Sequence, residues 1–176
     1  MKKTILLSAM AGLFLILITG CQNLLDSMIE QTIKSDYTSV DFTVNPGLAG
    51  TYTDTVEVVS FDIDSLLSAE GFDQGKVNSV KLKDASVEVI GEGNLDPFES
   101  FLITLEAPGK NAVTVAEVTS VPTGYTEIAL TKKDIELSEY LNSAQYTIKV
   151  KSVLDHDLET QMNLQANVRY EINVGL

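Results

Sequence analysis

The side chains best suited to chemistry lie at Leu154-Asp155-His156-Asp157-Leu158, which holds the chain's single histidine. Two carboxylates beside an imidazole are the donor types of a small metal site, or of a general base oriented by an acid. Asp155, His156 and Asp157 are therefore the candidate metal ligands. Neighbouring strand residues point to opposite faces, so the three converge only in a turn. A polar turn, with Asp side chains bonding backbone, is the favoured reading. A Ser–His–Asp triad would have to use His156, and no Gly-x-Ser-x-Gly elbow supplies its nucleophile. Carboxylate pairs of the glycosidase type occur at Asp62 with Asp64, Asp134 with Glu136 and Glu92 with Asp96. With 25 Asp+Glu in the chain, such pairs arise by chance on solvated faces. Glu92-Gly93-Asn94-Leu95-Asp96 has oxygen donors for calcium but not the EF-hand spacing. No catalytic residue and no cofactor is expected, calcium being the one ion the acidic surface would take. There is no Trp, and Tyr37, Tyr52 and Tyr125 lie near strand starts or turns. They are the candidate ligand-binding platform, with core or edge packing as the competing reading.

The 176 residues suit one domain plus a leader. Apolar residues form 44% of the chain, enough to bury a core. Lys+Arg number 12 against 25 Asp+Glu; setting aside Lys2 and Lys3 leaves 10 against 25, a formal charge of −15 after Gly20. Such a surface repels phosphate backbones, so no nucleic-acid partner is expected. The single cysteine, Cys21, leaves no internal disulfide and no Cys-based zinc site.

Met1-Lys2-Lys3 is a cationic start, and the uncharged run from Thr4 to Gly20 is most apolar from Leu13 to Ile18. A positive end, an apolar centre and small residues at the close form an export signal. Acidic and polar sequence follows at once, with no basic stop-transfer cluster, so a spanning helix is the poorer reading. Ile18-Thr19-Gly20-Cys21 resembles the lipobox of bacterial lipoproteins. The resemblance implies cleavage between Gly20 and Cys21, a diacylglyceryl group on the Cys21 thiol, and acylation (palmitate) of the freed amine. The lipid bilayer would then be a partner, each buried methylene contributing about 0.8 kcal/mol. Gln22, where Asp would resemble an inner-membrane retention signal, favours the outer membrane, on its periplasmic face or at the cell surface.

Residues 1–20 therefore read as signal peptide, 21–36 as lipidated N-terminus with a tether or short helix, and 37–176 as one domain. Leu24, Leu25, Met28, Ile29 and Ile33 recur at helical spacing. From Tyr37 onward the period is two. Gln161 to Val174 alternates without a break: Met162, Leu164, Ala166, Val168, Tyr170, Ile172 and Val174 apolar, the residues between them polar. Val40, Phe42 and Val44, and Tyr146, Ile148 and Val150, alternate likewise. Tyr52–Asp62 and Val77–Ile90 change parity midway, which predicts a bulge in each. Ser100–Glu106, Ala112–Thr119 and Tyr125–Thr131 are short strands between Gly- and Pro-containing turns. Helices are expected at Asp64–Gly71, with an acidic N-cap and a glycine stop, and at Ser138–Asn142 behind an N-cap serine. About eight strands and two short helices predict an all-β, antiparallel sandwich of the Greek-key, jelly-roll kind. The functional expectation is a non-catalytic binding or scaffold lipoprotein with a protein or glycan partner. The alternatives are a carbohydrate-binding accessory of a surface glycan-uptake system and, third, a small extracytoplasmic hydrolase.

Overall fold

A computed structural model of the chain describes residues 30–60, 62–72, 76–143 and 145–175, without the Tyr52 side chain. Gly20, Cys21, the leader and the start of the expected helix lie outside these residues. In chain order the strands are β1 (Glu30–Lys34), β2 (Thr38–Val44), β3 (Tyr52–Val59), β4 (Val77–Val89), β5 (Phe98–Glu106), β6 (Val113–Val118), β7 (Glu127–Ala129), β8 (Thr131–Lys132), β9 (Tyr146–Leu154) and β10 (Met162–Gly175). Helix α1 (Ile63–Ala69) follows β3, and α2 (Ser138–Leu141) precedes β9.

The strands form two antiparallel five-stranded sheets. In the first, β10 has β4 and then β7 on one side, and β1 and β2 end to end on the other. The second runs β3-β9-β5-β6-β8. Without the short β1 and β8, the orders are 2-10-4-7 and 3-9-5-6, those of a jelly roll. One apolar core fills the space between the layers. Leu164, Ala166, Val168, Tyr170, Ile172 and Val174 of β10 all enter it, as the alternation predicts. Each fully buried Leu, Ile or Val contributes about 1.5–3 kcal/mol relative to exposure.

Several expectations need correction. Glu30–Lys34 is a strand rather than helix or tether, and the folded domain reaches back at least to Glu30. Pairing with the open edge of β10 gives this segment a ladder and buries Ile33, which outweighs the weak tendency of a short isolated helix. The bulge expected in Tyr52–Asp62 is absent from the pairing of β3 with β9, which runs in unbroken register. The parity change in β4 does mark a bulge: Asp84 faces Arg169 and Leu82 faces Tyr170, leaving Lys83 without an opposite residue. Tyr125–Thr131 is not one strand. Buried Leu130 carries the chain from β7 in the first sheet to β8 in the second, and its N–H donates to Ala85 O at 2.9 Å. The N-cap of α1 is Asp62, accepting from Ser65 N–H at 2.9 Å, while Ser138 is the first helical residue of α2 rather than its cap.

Candidate binding cleft on the outer face of the first sheet

The step from Arg169 to Tyr170 in β10 organises a substantial surface site. Its neighbours on both sides bulge there. Opposite Lys83 on the β4 side, the link between β1 and β2 places Ser35, Asp36 and Tyr37 across from only Arg169 and Tyr170. Ser35 closes this second irregularity: its N–H donates to Tyr170 O at 3.0 Å, and its Oγ accepts from Tyr170 N–H at 2.9 Å. A bulge increases local twist and re-aims side chains.

Inward, Tyr170 meets Tyr146 of β9 across the core, hydroxyls 3.0 Å apart and rings edge to face at 6.2 Å. Burial pushes the Tyr170 phenol well above the ordinary tyrosine value, and burial raises Tyr146 too. Outward, Arg169 lies between two partners. Its Nε donates to Asp84 Oδ2 at 2.9 Å, and its Nη2 reaches the same oxygen. Its guanidinium sits over the Tyr37 ring, 4.7 Å from the centroid. The Asp84 hydrogen bond holds Arg169 still more firmly protonated.

Around this pair opens a cleft of about 620 Å³, within the range of small-ligand sites. Lys83, Glu127 and Lys132 also line it. Lys132 reaches from the second sheet to donate to the Lys83 carbonyl at 3.3 Å, a group the bulge displaces. Lys83 pairs with Glu171 at 3.0 Å. Tyr37 stays 53% exposed. The cleft thus joins an exposed ring to cationic donors and carboxylate acceptors, a set suited to a small polar ligand.

The rest of the outer face is a lattice of polar ladders across β10. Asn163 accepts from Thr43, Gln165 donates to Asp41 at 2.6 Å, Asn167 bridges Ser39 and Glu88, and Asn173 bridges Thr32 and Ser79. The polar half of the alternating segment is therefore a cross-linked platform that continues from Arg169 along the sheet.

Of the three tyrosines singled out in the sequence, Tyr37 has its side chain in this site, and the side chain of Tyr52 lies outside what the structure describes. Tyr125 is 54% exposed but lies beyond Thr126, whose carbonyl accepts from Val89 N–H. That is five strand residues past Asp84, roughly 17 Å along the sheet at about 3.4 Å per residue. No platform joins the two. The metal candidates do not converge either. Asp157 accepts from Ala49 N–H at 2.9 Å, whereas His156 and Asp155 are exposed with Nδ1 and Oδ2 3.3 Å apart. The Asp155 N–H instead docks on Pro97 O at 2.8 Å, so the triplet is a turn. Among the described residues no three His, Cys, Asp or Glu side chains gather.

In each carboxylate pair at least one member serves the backbone or a lysine. Asp62 caps α1, and the Ser65 hydrogen bonds hold its carboxyl below the usual range. Asp134 pairs with Lys81 at 2.6 Å. Burial pushes Glu136 upward, but hydrogen bonds from Val80 and Ser138 N–H outweigh it and leave that carboxyl lowered. Asp96 accepts from Gly124 N–H and Asn94. Sequence reading missed Arg169, Asp84, Lys83, Glu127 and Lys132. Two signals pointed there: Arg169 is the chain's only arginine, and the parity change falls beside Asp84.

No family model and no curated protein matches this sequence. Solved structures with a similar fold include a decameric BFDV capsid protein, 12% identical, with a TM-score of 0.38 over 83% of this chain and 99% of that one. Infectious bursal disease virus, Gt strain, is 14% identical with a TM-score of 0.36, over 84% of this chain and 33% of that one. A β-sandwich carbohydrate-binding module is 10% identical with a TM-score of 0.34, over 78% of this chain and 54% of that one. These are likenesses of shape alone.

Proposed function

We propose that this chain is a lipid-anchored, extracytoplasmic binding module without catalytic activity, held at the outer membrane through acylated Cys21. The anchor is supported by the pattern from Lys2 to Cys21. The observation that carries the binding role is the cleft at Arg169, where an exposed tyrosine stands beside fixed donors and acceptors. A binding role suits these groups better than hydrolysis does. Asp84 is engaged by Arg169, and His156 lies exposed beside Asp155, with no three such side chains gathered among the described residues.

The second reading is a carbohydrate-binding accessory of a surface uptake system, and the Tyr37 cleft specifically favours it. A sugar ring presents an apolar face to an aromatic and hydroxyls to charged side chains. Titration calorimetry against a panel of neutral and acidic oligosaccharides tests it. Saturable heat that Tyr37→Ala and Arg169→Gln both remove supports the glycan reading; no heat with any glycan leaves the protein-partner reading. Mass spectrometry of protein from its native host tests the anchor. An unmodified Cys21 thiol would overturn it.

A further inference from the structure

The four sheet edges are not equivalent. β7 and β8 are three and two residues long, and the β1–β2 edge is broken at Ser35–Tyr37. β3 differs from all of them. It pairs with β9 over eight residues, from Tyr52 opposite Val153 to Val59 opposite Tyr146, with no register shift. Among the described residues it has no strand on its other side. Natural edges are blunted by shortness, by charged side chains, lysine above all, by proline, by a bulge or by inward-pointing charges. β3 is long, unbulged and without lysine or proline, and the charges it carries are the two acids Asp54 and Glu57, which oppose an acidic strand and admit a basic one.

Its side chains are also inverted from Thr55 to Val58, although Val59, opposite Tyr146, packs against the core. Paired residues of an antiparallel ladder share a face. Thr55 and Glu57 lie opposite core residues Val150 and Ile148, whereas Val56 and Val58 lie opposite Lys149 and Thr147 on the outer face. Val56 and Val58 are 55% and 59% exposed. A sandwich strand selected only for its own core would carry the opposite pattern.

We propose that the free edge of β3 receives an extended, basic peptide segment as an added antiparallel strand. Main-chain hydrogen bonds would supply affinity and alternate side chains specificity. The complementary segment reads apolar opposite Val58, Lys or Arg opposite Glu57, apolar opposite Val56, any residue opposite Thr55, and Lys or Arg opposite Asp54. Charge selects this occupant over a second copy of the chain. Asp54 and Glu57 both lie exposed on β3, and two copies would bring together chains that each carry a formal charge of −15 after Gly20, 10 Lys+Arg against 25 Asp+Glu.

The test uses the full chain and a labelled peptide, acetyl-Thr-Val-Lys-Val-Thr-Lys-Thr-amide, followed by fluorescence anisotropy and amide hydrogen exchange. The expected result is saturable binding with added protection confined to residues 53–58. N-methylating alternate peptide residues keeps the charge but removes ladder donors, and should weaken binding at least about tenfold. Val56→Lys with Val58→Lys should weaken it comparably. Three results would overturn the proposal: no binding, binding indifferent to N-methylation, or a dimer of the chain that the double lysine variant abolishes. The N-methylation arm needs no variant of the protein, so a folding defect cannot mask the answer.

Discussion

β10 and β3 are both long strands, yet they occupy opposite conditions. β10 is flanked on both sides for most of its length, sends its even-numbered side chains into the core and ties its odd-numbered ones into polar ladders. Among the described residues β3 is flanked on one side, and it presents Val56 and Val58 to solvent. Alternation alone therefore does not say which half of a strand faces inward. That is decided by the strand's place in the sheet. A central strand has a core against which every misplaced residue counts, whereas an edge strand is free to carry a pattern that serves a contact outside the domain.

Substitutions can widen or narrow this contrast. Leu164→Ala in β10 removes a fully buried side chain and should cost about 2–5 kcal/mol, read from urea unfolding. Tyr170→Phe should cost roughly 1 kcal/mol by removing a buried hydroxyl partner of Tyr146. It should also change the alkaline behaviour. Tyr170 and Tyr146 both titrate above their unfolded values, so the stability they contribute is complete below about pH 10 and lost as pH rises through the folded values. Unfolding monitored by circular dichroism should therefore steepen above that pH in the wild type and less so in Tyr170→Phe. Arg169→Gln breaks a half-exposed ion pair and should shift stability by no more than about 1 kcal/mol, while abolishing ligand heat in the cleft. Val58→Thr on β3 should change stability by less than about 0.5 kcal/mol. A large loss there would mean that the valine packs within the domain after all.

The jelly-roll class was legible because most strands carry a local period of two, and β10, β9 and β2 lie close to their expected limits. The bulge at Lys83 was legible for the same reason, as a change of parity. What sequence could not supply was long-range register. The helical spacing before Lys34 gave way to a partner strand far along the chain, and the parity change in Tyr52–Asp62 that predicts a bulge falls on an edge strand paired in unbroken register. The cleft suffered likewise. Tyr37 was noticed for its type, but its meeting with Arg169 depends on two bulges, and Asp84 stands 85 positions from Arg169 in the chain. Residues that make a turn, such as Asp155 to Asp157, advertise themselves locally and so attract chemical readings they do not satisfy.

The pairing of β1 with the last residues of β10 has a mechanical consequence. Glu30 lies opposite Gly175 at one end of that ladder, and Lys34 opposite Glu171 at the other. Tension between these two neighbouring ends would peel the rungs singly, which takes little force, until it met the double clasp of Ser35 on Tyr170. Beyond that point the load would fall on β2, whose ladder is longer. A tug at the amino-terminal side would thus be spent first on a short sacrificial zipper, leaving the Arg169 cleft undisturbed until the clasp gives way.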